Sequence, residues 1–192
     1  MNTDIFFQKI RTYQPISEKA ESAWANLLRQ KQYKKNEILL DIGQHPRKVH
    51  FVVSGLLSQN YFTDNGDIII KYFFSEQRMA ASLSAMLANK PSLFYIVAIE
   101  DTTVIEYDFF EFKKLVAEYI DIALFYIKYN EQHWIVEKEP LEISFRADTA
   151  NKRYDDFLNK YPQLVKRLKK HHIASYLGIT ATQLSRIFFA NK

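Results

Sequence analysis

The sequence predicts an α+β protein, with an N-terminal antiparallel β jelly roll, a long helix and a C-terminal helical domain. Two observations lead to this prediction. Short β-rich runs separated by turn residues fill residues 33–108, whereas apolar residues recur at helical spacing from residue 109 onwards. The chain of 192 residues is long enough for one medium-sized domain and a small one.

The chain begins with two predicted short helices, which are followed by the β region. Residues 3–31 have helical spacing, and Pro15 divides them into two helices. Asn65-Gly66 predicts a two-residue hairpin turn, because both residues tolerate positive φ. Residues 79–90 interrupt the strands with a helix-like segment. Many short strands at near-regular spacing favour a jelly roll. The β-rich runs are EILLD, VHFVVSG, LLSQNYF, DIIIKYFF, YIVAIE and TVIEY.

The segment from residue 109 to about residue 146 predicts a long helix that pairs with a second copy of itself. Its apolar residues recur every seven positions, as in the seam of a coiled coil. A helix packed on its own barrel is the alternative explanation. Pro140 lacks an N–H group and should kink the helix. The predicted dimerisation residues are Ile120, Ile127, Trp134 and Leu141.

Positive charge is concentrated at the C-terminal end. Residues 151–192 contain nine Lys or Arg residues and two Asp residues, a net charge of +7. The formal charge of the whole chain is +4, so the first 150 residues carry −3. A basic C-terminal segment in an otherwise acidic chain is typical of a protein that binds nucleic acid. On charge alone, a solvated basic helix face explains the pattern equally well.

The stretch KHHIASYLGITATQLSRIFF, residues 170–189, has the spacing of a helix-turn-helix. Gly178 stands where the turn needs positive φ, and Thr180 with Gln183 forms a capping box. An ordinary helical hairpin is the alternative. The second helix of such a motif enters the major groove, where Arg186 is suited to a bidentate contact with guanine. The predicted DNA-contacting residues are Lys169, Lys170, Thr180, Thr182, Gln183, Ser185 and Arg186.

Several classes of protein are disfavoured. The chain has no cysteine, which excludes disulfides, thiolate metal sites and thiol nucleophiles. It shows no histidine cluster with metal-ligand spacing and no nucleophile motif, so we expect no catalytic residues, no metal and no cofactor. A run of 18 apolar residues and a signal peptide are both missing, so we expect a cytoplasmic protein with no membrane partner.

These features together resemble the Crp/Fnr family of transcription regulators. Arg186 falls at the position of the family's base-contacting arginine. The resemblance implies a cyclic-nucleotide-binding-like sensor domain at residues 1–119, a dimerisation helix at 120–147 and a DNA-binding domain at 148–192. The stretches that carry it are residues 35–39, residues 51–55 with their terminal Ser-Gly, the hairpin tip at residues 64–66, and residues 173–180 and 184–187 of the helix-turn-helix.

The sequence departs from the family pattern at two places. Members that bind cyclic AMP carry a Gly-Glu pair for the ribose and an Arg-Ser pair for the phosphate. This chain has Ala81-Ser82 and Ser92-Leu93 there, with neither the carboxylate nor the cation. The resemblance therefore implies that the fold is retained and that cyclic AMP does not bind. The sequence indicates no effector and no effector-binding residues.

The resemblance and the basic helix-turn-helix together predict a sequence-specific transcriptional regulator. It would bind double-stranded DNA as a homodimer, with RNA polymerase as a further partner. The alternative is a sensor module of cyclic-nucleotide type that acts through protein partners. A jelly-roll enzyme is disfavoured, since the metal-binding cluster that such an enzyme uses is missing from the sequence.

Overall fold

The computed structural model describes residues 3–190 and has the predicted α+β fold class. Helices α1 (Asp4–Arg11) and α2 (Glu18–Ala25) come first, and α3 (Leu83–Ala88) interrupts the strands. The strands are β1 (Arg29–Tyr33), β2 (Ile38–Leu40), β3 (Lys48–Ser54), β4 (Leu57–Phe62), β5 (Ile68–Phe74), β6 (Met79–Ala80), β7 (Tyr95–Ala98) and β8 (Thr102–Asp108).

The strands form two four-stranded antiparallel sheets that pack face to face as a jelly roll. One sheet has the order β1-β8-β3-β6 and the other β2-β7-β4-β5. Val52 and Val104 of the first sheet are buried in one cluster with Leu57, Phe74 and Ile96 of the second. Burial of these apolar faces holds the two sheets together.

Strand β1 lies where the sequence predicts the end of a helix. Its residues, RQKQY, are mostly polar and show no strand-like alternation. Its partner is distant in sequence, since Arg29 lies opposite Glu106 and Tyr33 opposite Thr102 on β8. The helical prediction is therefore wrong for residues 29–31, because pairing with β8 outweighs the weak local preference.

The turn between β4 and β5 is longer than the predicted two-residue hairpin. Thr63 N donates to Asp67 O over 2.9 Å, and Gly66 N donates to Thr63 O over 2.9 Å. Gly66 has φ of 84°, whereas Asn65 keeps a negative φ. The Thr63 side chain accepts a hydrogen bond from Asp67 N and so stabilises the wider turn.

A second apolar cluster attaches the two N-terminal helices to the outer face of the jelly roll. The fully buried Trp24 lies at its centre, with ring centroids 5.1 Å from Phe6, 4.7 Å from Phe112 and 5.3 Å from Phe125. Phe112 and Phe125 belong to the helices that follow β8. The cluster therefore holds the beginning of the predicted long helix against the jelly roll.

The predicted long helix is divided into several segments. Helix α4 (Phe109–Glu118) ends at Tyr119, whose extended backbone separates it from α5 (Ile120–Asn130). A π-helical turn (Glu131–Val136) then joins α5 to α6 (Lys138–Ala147). This turn lies directly before Pro140, which would clash with the carbonyl of Val136 in a regular helix. The disturbance expected at Pro140 therefore takes the form of a π-helical turn.

Four helices form the C-terminal part of the described chain: α7 (Ala150–Lys160), α8 (Pro162–Val165), α9 (Lys170–Leu177) and α10 (Ala181–Ala190). Thr149 caps α7, accepting a hydrogen bond from Lys152 N over 3.3 Å. Ile70 and Phe73 of β5 share one apolar cluster with these helices. The jelly roll and the C-terminal helices therefore pack against each other, and the three-domain division stays a prediction.

Candidate nucleic-acid interface

Helices α9 and α10 form a helix-turn-helix whose turn has the predicted backbone geometry. Gly178 ends α9 with a left-handed φ of 66°, and Ile179 N donates to Ala174 O over 3.0 Å. A residue with a Cβ would be strained at this φ, which explains the glycine. Helix α10 begins three residues after Gly178 and is preceded by Thr180.

Thr180 and Gln183 cap α10 reciprocally, as the capping box predicts. Gln183 N donates to Thr180 Oγ1 over 3.1 Å, and Thr180 N donates to Gln183 Oε1 over 3.0 Å. Backbone N–H groups that the first turn leaves unpaired are thereby satisfied. Both residues are also predicted DNA contacts. A contact from either side chain to a base or phosphate would have to compete with the cap.

The apolar residues of the motif form the contact between its two helices. In α10, Leu184 and Ile187 are buried, and they lie in one cluster with buried residues of α9. Burial of this face leaves the opposite side of α10 exposed to solvent. Of the apolar residues in the motif, those that are buried include Ile173, Ala174, Leu177, Leu184 and Ile187, and Ile179 is half-buried.

The exposed side of the motif carries the other predicted DNA contacts. Thr182 and Arg186 are exposed on α10, and Ser185 is half-buried. Lys169 and Lys170 are exposed at the start of α9. Arg186 makes no ion pair with any residue in the range 3–190, so its guanidinium is available to a partner outside the chain.

Part of the C-terminal positive charge is neutralised within the chain. Arg167 donates to Glu76 over 2.9 Å and also pairs with Glu100, and these hydrogen bonds raise its pKa. Lys152 lies 3.0 Å from Asp156. The charge available to a polyanion is therefore smaller than the sequence suggests. The exposed cations in this region that remain are Lys160, Lys166, Lys169, Lys170 and Arg186, while Lys192 lies outside the described residues.

His172 does not add to the positive charge at neutral pH. Burial, assisted by the nearby positive charges of His171 and Lys169, lowers its pKa to about 4. Its imidazole is therefore neutral at pH 7. The half-buried ring belongs to the packing of α9, whereas Lys169 and Lys170 supply the charge at the start of that helix.

Helix α9 is docked on β5, a contact that the sequence does not reveal. Ser175 Oγ donates to Ile68 O over 2.6 Å and accepts from Ile70 N over 2.9 Å. The ring centroid of Tyr176 lies 5.3 Å from that of Phe73. The serine therefore links the backbone edge of β5 to the helix-turn-helix through two hydrogen bonds. More than a hundred residues separate the partners, so no local pattern could indicate the contact.

The four predicted seam residues lie on two different faces of the long helix. Ile120 and Ile127 are 76% and 50% exposed, whereas Trp134 and Leu141 are half-buried and line a cavity next to the jelly roll. The π-helical turn changes the helical phase, since its residues advance by a smaller angle than those of an α-helix. The exposed apolar side chains of the long helix that we call the apolar strip are Ile120, Leu124, Ile127, Ile135, Val136 and Ile143.

A polar network fixes the π-helical turn against the rest of the chain. His133 lies 2.7 Å from the hydroxyl of Tyr13 and 2.8 Å from Glu137 Oε1. Arg78 donates to Glu137 Oε2 over 2.9 Å and to the Tyr72 hydroxyl over 2.6 Å. Burial raises the pKa of Glu137, but hydrogen bonds from His133 and Arg78 outweigh it and keep the pKa well below its usual value. The network thus links the N-terminal segment, the jelly roll and the long helix.

The positions that correspond to the family's cyclic-nucleotide contacts hold a small internal network. Ser92 Oγ lies 2.8 Å from Ser82 Oγ and 2.7 Å from Phe94 O. Both serines are buried, Ala81 beside them is buried, and Leu93 points outward with 67% exposure. The hydroxyls therefore bond to each other and to the backbone. Neither serine carries a charge at the position of the family's nucleotide contacts.

The described part of the chain shows neither a metal-binding cluster nor a membrane-spanning helix. Within residues 3–190, no group of three or more His, Cys, Asp or Glu side chains is arranged to hold a metal ion. In the same range, no helix combines the length and apolar character needed to cross a membrane.

Comparison with known proteins gives one match to a sequence family. Residues 30–119 match the cyclic nucleotide-binding domain family. This segment contains β2 to β8 and α4, together with most of β1. Comparison with curated proteins gave no match.

Solved structures of bacterial regulators share the fold over most of the chain. FixK2 from Bradyrhizobium japonicum is 20% identical with a TM-score of 0.71, covering 85% of this chain and 83% of FixK2. CLP from Xanthomonas campestris is 10% identical with a TM-score of 0.73, covering 91% of each chain. A Crp/Fnr-family protein from Eubacterium rectale is 17% identical with a TM-score of 0.65, covering 93% of this chain and 87% of that protein. At these identities, the similarity establishes a shared fold.

Proposed function

We propose that this chain, which contains a cyclic nucleotide-binding family domain at residues 30–119 and has the fold of the Crp/Fnr regulators, is a sequence-specific DNA-binding transcriptional regulator. The observation that carries the proposal is the exposed side of the N-terminal half of α10, where a capped helix presents Thr182 and, one turn later, the unpaired Arg186. Helix-turn-helix proteins insert this part of the second helix into the major groove. The similar CLP is described as a c-di-GMP-responsive global regulator that links cell-cell signalling to virulence gene expression, which agrees with this role.

The predicted contacts divide into two kinds. Arg186 would read a guanine through two hydrogen bonds, and Lys169 and Lys170 would bind the phosphate backbone. Thr182 and Ser185 would contact bases or phosphates without disturbing the cap. Contacts from Thr180 and Gln183 would require the capping hydrogen bonds to rearrange.

The regulator would act as a homodimer in the cytoplasm. The apolar strip of the long helix supplies a self-complementary surface, since a twofold axis brings the same residues of two copies together. Two recognition helices related by that axis would read an inverted repeat, with half-sites roughly 34 Å apart. RNA polymerase would be a further partner of the DNA-bound dimer.

Cyclic AMP is not proposed as the effector. The buried Ser82 and Ser92 hydroxyls offer neither a cation for the cyclic phosphate nor a carboxylate for the ribose. A phosphate charge that is buried without a cationic partner is strongly unfavourable. We also propose no catalytic activity, because the exposed residues of the helix-turn-helix are suited to binding rather than to bond making.

A second candidate function is a sensor module that acts through protein partners. The observation that favours it is a group of exposed apolar side chains at the β4–β5 hairpin, including Phe62, Ile68 and Ile69. Exposed apolar patches frequently mark protein-interaction sites. In that case the helix-turn-helix would not bind DNA.

Salt-dependent DNA binding separates the two functions. Genomic fragments that the protein occupies would be identified by genome-wide mapping, and purified protein would be titrated with one of them and with a scrambled duplex. We expect tighter binding to the mapped fragment and a decrease in affinity as salt rises, because phosphate contacts release counterions. A protein that binds neither duplex at low salt would overturn the proposed regulator and favour the sensor module.

A further inference from the structure

An open cavity of about 210 Å³ lies between the two sheets of the jelly roll, at the connection from β2 to β3. It is lined by residues 39–40 of β2, residues 44–47 of the connection, Lys48 and His50 of β3, and Ile96 of β7. Among the described residues that line it, none belongs to the long helix or to the C-terminal helices. The buried serines at the family's nucleotide positions do not line it either, so the cavity is a separate place in the fold.

The cavity reaches a buried histidine on the inner face of the jelly roll. His50 is 2% exposed and precedes Val52 by two residues, and Val52 belongs to the buried cluster between the sheets. Alternate residues of a strand share one face, so His50 points inward as well. Its Nδ1 lies 3.4 Å from Glu106 Oε2 on β8, without the alignment of a hydrogen bond.

Glu106 is a buried, ionised carboxylate behind the histidine. The Tyr33 hydroxyl donates to its Oε2 over 3.2 Å, and Lys48 donates to its Oε1. Burial raises the pKa of Glu106, but the contacts with His50 and Lys48 outweigh it and lower the pKa to about 2. A full negative charge therefore faces Nδ1 of His50 at neutral pH.

This charge decides which ring nitrogen of His50 can accept a hydrogen bond. Burial lowers the pKa of His50, so the imidazole is neutral at pH 7 and carries one N–H. The proton belongs on Nδ1, because a lone pair there would face the carboxylate. Within residues 3–190, Nε2 has no hydrogen-bond partner, and unlike Nδ1 it is not sealed from solvent. Nε2 is therefore an unused acceptor at the cavity, and a buried acceptor left unpaired is unfavourable.

The rim of the cavity supplies hydrogen-bond donors. Gln44 Oε1 accepts from Asp41 N over 3.0 Å, which leaves its amide N–H groups for another partner. Arg47 Nε donates to Asp108 Oδ2 over 2.9 Å, and within residues 3–190 its two terminal nitrogens have no hydrogen bond. Among the described residues of the lining, none is Asp or Glu. The rim therefore suits an anion, and a guanidinium binds a carboxylate well.

The remaining wall is apolar and suits a short aliphatic chain. Leu40 and Ile96 are 8% and 1% exposed, and they line the cavity from neighbouring strands. An engineered apolar cavity of about 150 Å³ binds benzene, so this cavity has room for a molecule of that size.

We propose that this cavity binds a small aliphatic hydroxy acid. The carboxylate would accept hydrogen bonds from Arg47 and Gln44, the hydroxyl would donate to His50 Nε2, and the chain would pack on Ile96. An ammonium group in place of the hydroxyl is disfavoured, since it would meet the cations Arg47 and Lys48. The site shares no residue with the proposed DNA contacts, so it does not depend on the proposed function.

Four ligands of similar size separate these contacts. Full-length protein would be titrated calorimetrically with 3-hydroxybutyrate, butyrate, butane-1,3-diol and 3-aminobutyrate. We expect saturable binding of 3-hydroxybutyrate. Butyrate, which lacks the hydroxyl, should bind about fivefold more weakly, and butane-1,3-diol, which lacks the carboxylate, about tenfold more weakly. The amine should bind about tenfold more weakly as well, because of its charge.

Two substitutions test the same contacts from the side of the protein. Arg47→Met should lower the affinity for 3-hydroxybutyrate by about tenfold and leave that for butane-1,3-diol unchanged. His50→Phe should lower the affinity for 3-hydroxybutyrate to that for butyrate. Arg11→Met is the matched control, since Arg11 is also an exposed arginine with a carboxylate partner, Glu21, and lies outside the cavity. Circular dichroism would establish that each variant is folded.

The surface position of Arg47 keeps the test decisive even if His50→Phe does not fold. Equal affinity for 3-hydroxybutyrate and butyrate, equal affinity for 3-hydroxybutyrate and 3-aminobutyrate, no saturation at millimolar concentrations, or an unchanged affinity in folded Arg47→Met would each overturn the proposed site. None of these titrations contains DNA, so such a result would leave the proposed regulator standing. A chain that binds 3-hydroxybutyrate as expected but binds no duplex would overturn the regulator alone.

Discussion

Arg186 and Lys169 are both exposed cations of the helix-turn-helix, but they occupy different places in it. Arg186 lies on α10, whereas Lys169 immediately precedes α9. Base edges carry sequence information and phosphates do not. The same loss of one positive charge should therefore have two distinct effects on DNA binding.

Arg186→Ala should relax specificity at one base pair per half-site, at a cost of about 1–3 kcal/mol per contact. Lys169→Ala should weaken binding to all sequences alike and lower the slope of affinity against salt by about 0.9 per lost phosphate contact. Binding titrations on specific and scrambled duplexes at several salt concentrations would measure both. Lys90→Ala, an exposed lysine of the jelly roll, is the control. If Arg186→Ala weakened both duplexes equally, Arg186 would be a phosphate contact.

At the scale of single elements, the start of α10 depends on the Thr180 cap. Thr180→Ala removes the hydroxyl that accepts from Gln183 N, and should lower the free energy of unfolding by about 0.5–2 kcal/mol. DNA affinity should fall with it, because the first turn of α10 carries Thr182 and Gln183, two of the predicted contacts. Urea denaturation and DNA titration would measure the two effects.

Thr182→Ala provides the matched comparison for the cap. Thr182 is exposed two residues further along and has no part in the capping box. Its replacement should leave the unfolding free energy nearly unchanged, whatever it does to DNA binding. Equal destabilisation by the two substitutions would contradict the role assigned to the cap.

The apolar strip leads to a prediction about the long helix. Replacing Ile127 and Val136 together by Glu should produce monomers in light scattering, because two copies would then bring like charges together at the seam. Circular dichroism should stay native, since both side chains are exposed. Gln132→Glu adds a charge at an exposed position of the same helix outside the strip, and should leave the dimer intact.

Trp134 distinguishes this strip from the seam predicted by heptad spacing. Because Trp134 is half-buried beside the jelly roll, Trp134→Glu should lower stability as well as any association. A wild-type chain that is monomeric at micromolar concentration would contradict dimerisation through either surface.

At the scale of the whole molecule, Arg167 connects the C-terminal helices to the jelly roll. It pairs with Glu76, which follows β5, and with Glu100, between β7 and β8. These groups are partly exposed, so solvent screens each pair and its contribution is about 1 kcal/mol or less. Together with the Ser175 contacts to β5, the pairs hold α9 in its docked position.

Removing both carboxylates by Glu76→Gln and Glu100→Gln should loosen this docking. Amide hydrogens of α9 should exchange faster, while those of β3 and β8 in the jelly-roll core should be unaffected. Hydrogen exchange measured by mass spectrometry would resolve the two regions. Glu118→Gln, an exposed carboxylate at the end of α4, is the control. Unchanged exchange in α9 would show that the ion pairs do not stabilise the docked arrangement.

Sequence alone determined the features that depend on neighbouring residues. Gly178, the Thr180–Gln183 cap and the two helices α9 and α10 agree with the sequence prediction, because turn conformation, capping and helical periodicity act over a few residues. Most of the strands of the jelly roll were located for the same reason. The matches to the family's strand and recognition-helix patterns also depend on short stretches of sequence.

Only the tertiary structure decided the features that join distant parts of the chain. β1 forms because β8 pairs with it, and the apolar strip is displaced because a π-helical turn changes the helical phase. Arg167 pairs with carboxylates of the jelly roll, Ser175 bonds to β5, and Trp134 lines a cavity next to the jelly roll. Each of these contacts joins residues far apart in sequence. Such contacts depend on packing between whole elements. Local propensity does not determine which elements pack together.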